Sequence, residues 1–268
     1  MDAPVSISDR SIGVIFLHPG CNMSCSFCIT TDTYSSMRPD QAVHLLDVLR
    51  ARGIDNVVMG GGEPTMWAHD LVGLTREAKE RGFLVQLGTN GVAMPCDYER
   101  LDSIDRYVLP LDGPDAATHD RMRHCGASHF EIVRERMERL RDAGKCLTVS
   151  TVVTAENIDR LADLAVLLMD HVLDGARLHA WHLYRFIPEG REGARNAPRL
   201  DVPEAEYDAA CAQVRDMGLG FTIYKRKDMR HSKTVDFFWY AGERIVVGSE
   251  VWARAKRKQS FECKCVLK

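Results

Sequence analysis

No stretch of this sequence stays apolar for long. Runs such as residues 14–17 fall far short of the roughly 18 residues that a membrane span needs, so the chain reads as soluble. An excess of one charge is also missing. Thirty-five Lys and Arg stand against 38 Asp and Glu, a formal net charge of −3, and no global basic field exists to hold a nucleic-acid polymer by counterion release. Any anionic partner must meet a local cluster. The start, Met1-Asp-Ala-Pro-Val-Ser6, lacks the basic segment and apolar stretch of a secretory signal, and a cytoplasmic location is expected. Solenoid repeats and low-complexity tracts are absent too. The nine cysteines are an odd number, and three lie between positions 21 and 28. In a reducing compartment that pattern reads as metal binding or reactivity, not disulfide stapling.

What is present is an ordinary globular composition: 268 residues, 45% hydrophobic and 27% charged, enough for one large or two small domains. Short apolar runs alternate with amphipathic segments. Strands are predicted at 12–17, 56–59, 83–87, 106–111, 147–153 and 177–186, and helices at 39–50, 71–81, 130–143 and 157–172. Parallel neighbours need long crossovers, so strands joined by helices point to an α/β fold with a curved parallel sheet or partial barrel. Functional groups then gather beyond the carboxyl ends of the strands. Past residue 186 a turn-rich loop is expected over 188–198, followed by a helix at 203–217 and a strand at 221–224. A hairpin is predicted from 235–240 and 244–247 around Gly242.

The most informative segment is Cys21-Asn-Met-Ser-Cys25-Ser-Phe-Cys28, directly after the first strand. Soft thiolates bind iron-sulfur clusters, zinc or Cu(I), and a compact loop aims three of them at small closure cost. A cubane usually takes four cysteines, so three leave one iron for another ligand. A zinc site completed by His18, or by the late pair Cys263 and Cys265, is the plainer alternative. Gly60-Gly-Gly-Glu63-Pro64 ends the second strand, where glycines let backbone approach a ligand and a carboxylate can hold an ammonium.

The three-cysteine pattern, with Phe27 before its last member, resembles the signature of the radical S-adenosylmethionine (radical SAM) superfamily, and Gly61, Gly62 and Glu63 resemble its GGEP motif. The resemblance covers roughly residues 10–190 and implies a partial (β/α)6 barrel, with 191–268 as a C-terminal α+β extension on or over the barrel mouth. It implies a 4Fe-4S cluster on Cys21, Cys25 and Cys28, with S-adenosylmethionine (SAM) chelating the fourth iron through its amine and carboxylate. Reductive cleavage then gives methionine and a 5'-deoxyadenosyl radical that removes a substrate hydrogen. Further segments resembling those that line the SAM cleft contribute Asn90, Asp112, Arg123 as a partner for the methionyl carboxylate, and Ser150 and Asn157 as ribose contacts. A reductant such as flavodoxin or ferredoxin is implied.

For the substrate, His182, Tyr184 and Arg185 on the sixth strand are candidate catalytic residues. Alternation turns only one face inward, so Tyr184 goes with His182, or Arg185 with Trp181. Lys225, Arg226, Lys227, Arg230 and Lys233 form a basic run suited to phosphate or carboxylate groups. The C-terminal order of segments is similar to that of viperin, a cytidine triphosphate dehydratase, and the barrel is comparably similar to the molybdenum-cofactor cyclase. The fifth strand, however, lacks viperin's phosphate-binding lysine. A small polar substrate, nucleotides or phosphorylated compounds included, is the expectation. A peptide maturase and a zinc- or cluster-stabilised binding protein without catalysis are the alternatives.

Overall fold

The computed structural model describes residues 11–31 and 34–253, so Cys263 and Cys265 lie outside the described residues. The alternating pattern becomes β1 (Ile12–His18), α1 (Pro39–Ala51), β2 (Asn56–Gly61), α2 (Leu71–Glu80), β3 (Leu84–Gly88) and β4 (Arg106–Pro110). Then follow α3 (Ala116–His119), α4 (His129–Asp142), β5 (Cys146–Val153), α5 (Leu161–Leu173) and β6 (Arg177–Arg185). The chain continues as α6 (Gly190–Leu200), α7 (Glu204–Asp216), β7 (Thr222–Arg226), β8 (Val235–Ala241) and β9 (Arg244–Val247).

Local chemistry explains the helix starts. Pro39 occupies the first turn of α1, Asp70 caps α2 through the Gly73 amide, and Ser128 caps α4 through that of Glu131. One sheet holds all nine strands in the order β7-β6-β5-β4-β3-β2-β1-β8-β9, parallel throughout except for the β8–β9 hairpin. The fold is thus α/β with a mostly parallel sheet. The C-terminal strands extend both edges of it: β7 adds beside β6, while β8 crosses over to pair with β1.

Alternation gives the sheet two different faces. Ile15, Leu17, Met59, Leu87, Leu109, Val149, Trp181, Leu183 and Phe238 are buried in one core with Leu45, Leu49, Leu74, Val133, Met137, Leu164 and Leu168 of the helices. Each such side chain contributes roughly 1.5–3 kcal/mol by leaving water. The other, inner face carries Phe16, Gly60, Gly88, Val108, Thr148, Ser150, Ala180, His182 and Tyr184. Its small residues leave room near the middle of the sheet.

The turn-rich loop expected over 188–198 is instead mostly helix α6. Gly190, Gly193 and Pro198 read as turn residues, yet the glycines are there for contact. Gly190 has φ +84, and a Cβ on it would lie 2.2 Å from the Ile29 carbonyl oxygen; one on Gly193 would lie 3.4 Å from that of Phe27. The helix seats its first turn against the cysteine loop.

Candidate active site

The three cysteines leave the carboxyl end of β1 on a loop that backbone contacts hold in place. The Gly62 amide donates to the His18 carbonyl (2.7 Å) and the Glu63 amide to that of Gly20 (2.8 Å). A Cβ on Gly62 would sit 2.3 Å from the carbonyl oxygens of both Pro19 and Gly20, and one on Gly61 (φ +140) 2.6 Å from that of His18. Glycine is required here so that two loops can touch. From the other side, the first turn of α6 donates Glu192 and Gly193 amides to the Cys28 carbonyl, both at 3.2 Å, and the Arg191 amide to Thr30.

Glu63 is 1% exposed. Its carboxylate accepts from the Thr65 amide (3.1 Å) and hydroxyl (2.8 Å), the Thr89 hydroxyl (2.6 Å) and the Asn90 amide (2.7 Å). Those four donors make it the tie between the β2 and β3 loops. Three of those donors meet Oε1, while Oε2 accepts from the Asn90 amide.

Two side chains reach the thiols. The Asn90 amide donates to Asn22 (2.7 Å) and lies 3.6 Å from the Cys21 sulfur. The Arg123 guanidinium lies 3.7 Å from the Cys25 sulfur, stands over the Phe27 ring at 4.9 Å, and pairs with the fully buried Asp112. Burial pushes the Cys25 thiol up to about 11 against the pull of Arg123, and burial also raises that of Cys21. Coordination to a metal removes such a proton outright.

The remaining cleft residues expected from sequence are mostly engaged with backbone. Asp112 accepts from the Val152 amide (2.7 Å). The Asn157 side chain donates to the Asp112 and Val152 carbonyls and accepts from the Thr154 amide, so it staples β4 to β5. Ser150 donates to the Leu109 carbonyl (3.4 Å) from the inner face, beside His182.

Sequence reasoning missed His129. The Asp112 amide donates to Nδ1 of His119, whose Nε2 meets Nδ1 of His129 at 2.7 Å; Nε2 of His129 reaches the Asn90 carbonyl at 2.8 Å. This chain links the Arg123 and Asn90 sides of the thiol loop beneath the surface. Both imidazoles are fully buried.

On β6 the alternation resolves. The His182 ring meets the Tyr184 hydroxyl at 3.0 Å and packs edge-on against Tyr224 (5.0 Å) on the inner face, while Trp181 is in the core. Arg185 points the other way and donates to the Val202 carbonyl. The basic run divides likewise. Lys225 and Lys227 pair with Asp208, Lys227 also with Glu204, and Arg230 with Asp228 and Glu189. Lys233 is exposed. Arg226 alone among them stands in register with Tyr184 on the inner face.

The donor set suits an iron-sulfur cluster. Among the described residues no three His, Cys, Asp or Glu side chains are placed to hold a single metal ion. Three soft thiolates on one loop match a cluster that takes one thiolate per iron.

The sequence profile of the Radical SAM superfamily matches residues 15–168, more than half of the chain. The chain belongs to the radical SAM superfamily. Among similar proteins is the AdoMet-dependent heme synthase of Nitratidesulfovibrio vulgaris, 27% identical over 196 residues, covering 70% of this chain and 51% of that protein. Another is the S-adenosylmethionine-dependent nucleotide dehydratase of Selenomonas ruminantium, 26% identical over 200 residues and 70% of each chain. The chain spans about half the length of several curated relatives it matches, as with the heme synthase. Streptococcus suis SuiB bound to S-adenosylmethionine shares the fold, with TM-score 0.70 and 14% identity over 87% of this chain and 59% of that one. Within this radical SAM fold the thiol loop, the GGEP turn and Asn90 all lie at or beyond the carboxyl ends of β1 to β3. No helix among the described residues is long and apolar enough to cross a membrane.

Proposed function

We propose that this radical SAM protein is an enzyme that removes a hydrogen atom from a small polar substrate. Cys21, Cys25 and Cys28 would hold a 4Fe-4S cluster that binds SAM. Reduced by a one-electron donor, cluster and SAM together would supply the radical chemistry that removes the hydrogen.

The chain's own residues position and shield. Gly61 and Gly62 bring the β2 turn against the thiol loop, and the Arg123 guanidinium supplies positive charge beside Cys25 and a fork for a carboxylate. Asn90 holds the Cys21 end. Asp112, Asn157 and Glu63 keep these groups in place. His182 and Tyr184 offer a hydrogen-bonded pair on the inner face for the substrate. Burial holds His182 down to about 3, so it acts as a neutral imidazole near neutral pH.

The observation that carries this reading is the loop itself: three free thiols on one segment after β1, locked by a glycine that no side chain can replace. Anaerobic reconstitution with iron and sulfide tests it. The expected result is about four irons and four sulfides per chain, with methionine and 5'-deoxyadenosine released when SAM and dithionite are added. Stoichiometric zinc, or cluster uptake without SAM cleavage, contradicts it.

A further inference from the structure

The family profile ends at residue 168, yet the cysteine loop is also held by a helix that lies beyond it. As the loop advances from 26 to 30, its contacts run back along α6 from 196 to 191, and every second carbonyl is taken. The Asn196 side-chain amide donates to the Ser26 carbonyl (2.9 Å), the Glu192 and Gly193 amides to that of Cys28 (both 3.2 Å), and the Arg191 amide to that of Thr30 (3.0 Å). Ser26 is gripped from both sides, because its own amide donates to the Met122 carbonyl at 2.9 Å. Ser26 lies between Cys25 and Cys28, so its place bears on the spacing of those two thiols.

Helix and loop also share an apolar cluster separate from the main core. Phe27, Met122, Phe186 and Leu200 are buried in it, with Cys25, Val152 and Ala197 packed against them. Ala197 and Leu200 come from α6, and Phe186 directly follows β6, two residues after Tyr184. One cluster thus carries both the cysteine loop and the end of the strand that presents the His182–Tyr184 pair. Asn196 sits in the middle of α6, where asparagine is a poor helix former because its side chain competes for backbone groups. Its amide meets the Glu192 carbonyl one turn back (3.1 Å) as well as Ser26, and the second of these bonds reaches outside the helix.

We infer that Asn196 is a positioning residue for the cluster: it holds the segment between Cys25 and Cys28 so that both thiols keep the placement a bound cluster needs. Groups one step behind the ligands set ligand orientation, and losing one typically weakens a metal centre by tenfold or more. The hydrogen bonding and solvent exposure they control also shape the electronic properties of an iron-sulfur centre. This rests on the proposed radical SAM reading and extends its cluster site to a helix past the segment that identifies the family.

The test reconstitutes wild type, Asn196→Ala and Asn196→Asp, the last keeping the shape but losing the donor to Ser26. Two controls go with them: Arg195→Gln, an exposed neighbour on the same helix, and Leu140→Ala, which opens a cavity in the main core and lowers stability in general. Iron release to excess EDTA without oxygen and the electron paramagnetic resonance spectrum of the dithionite-reduced protein are recorded. Both Asn196 variants should release iron about tenfold faster than wild type and give an altered reduced-cluster signal, while both controls keep the wild-type rate and spectrum. Faster release with an unchanged spectrum makes Asn196 merely structural and overturns the assignment, as does equally fast release from Leu140→Ala. A wild-type cluster that the Asn196 substitutions leave untouched fails this assignment alone, whereas a wild-type chain that takes up no cluster fails the reading beneath it.

Discussion

His119 and His129 share one hydrogen bond, 2.7 Å long, and its direction is set by the groups at either end. The Asp112 amide can only donate, so Nδ1 of His119 accepts and its Nε2 carries the proton. That proton points at Nδ1 of His129, whose own Nε2 proton points at the Asn90 carbonyl. Both rings must be neutral for the chain to exist.

A pH dependence follows. Burial holds His119 down to about 2 and His129 to about 4, below the ordinary 6.5; His171 and His182 are depressed the same way, to about 4 and about 3. Below about pH 6.5 the unfolded chain takes up protons that the folded chain refuses, so folding stability present at pH 7.5 is lost as pH falls toward the folded values. The slope is up to about 1.4 kcal/mol per pH unit for each ring. Urea unfolding at pH 7.5, 6.5 and 5.5 should show the midpoint falling with pH, and a flat or rising midpoint contradicts the neutral relay.

Gly62→Ala should damage the thiol loop without unfolding the sheet. Its Cβ would be driven to 2.3 Å from two carbonyl oxygens, a conflict with backbone that no rotamer relieves. Gly60→Ala, whose nearest neighbour would be a Val14 methyl at 3.6 Å, serves as the tolerated comparison. After identical reconstitution, iron content should drop in the first variant and hold in the second; equal content in both contradicts the docking role.

Arg123→Gln leaves Asp112 buried and unpaired next to Cys25. Removing one partner of a buried pair costs about 3–5 kcal/mol, and the stacking on Phe27 goes with it. Chemical denaturation at pH 7 measures this directly, and a loss below about 1 kcal/mol would mean that the pair behaves as a solvated one.

Asn157→Ala should destabilise by on the order of 2–3 kcal/mol, since it orphans the Asp112 and Val152 carbonyls and the Thr154 amide in a dry site. The same denaturation experiment reads it out. Wild-type stability with weakened SAM binding would instead assign Asn157 to the ribose.

Much of this was legible in the sequence because it is local. Alternation of apolar residues places β1 to β6 and their crossovers within a residue or two, save the start of α5, expected at 157 and found at Leu161 after a short 3-10 turn, and the cysteine loop and GGEP turn announce themselves by composition and order. What was not legible depends on distant partners. Gly190, Gly193 and Pro198 look like a turn until the cysteine loop they pack against is known. That β8 would cross the molecule to pair with β1 is a choice among sheet edges that its own residues do not encode. The basic run read as one patch because acids from α7 and neighbouring loops neutralise most of it only in space. His129 lies on the apolar stripe of α4 beside Phe130 and Val133, where a histidine carries no distinguishing signal.

The most direct test of the enzyme is an electron paramagnetic resonance spectrum of the reduced, anaerobically reconstituted protein, recorded before and after SAM is added. A cluster bound by Cys21, Cys25 and Cys28 with one open iron should give a reduced-cluster signal that shifts with SAM and is lost in Cys25→Ala. A spectrum indifferent to SAM, or unchanged by that substitution, would contradict it.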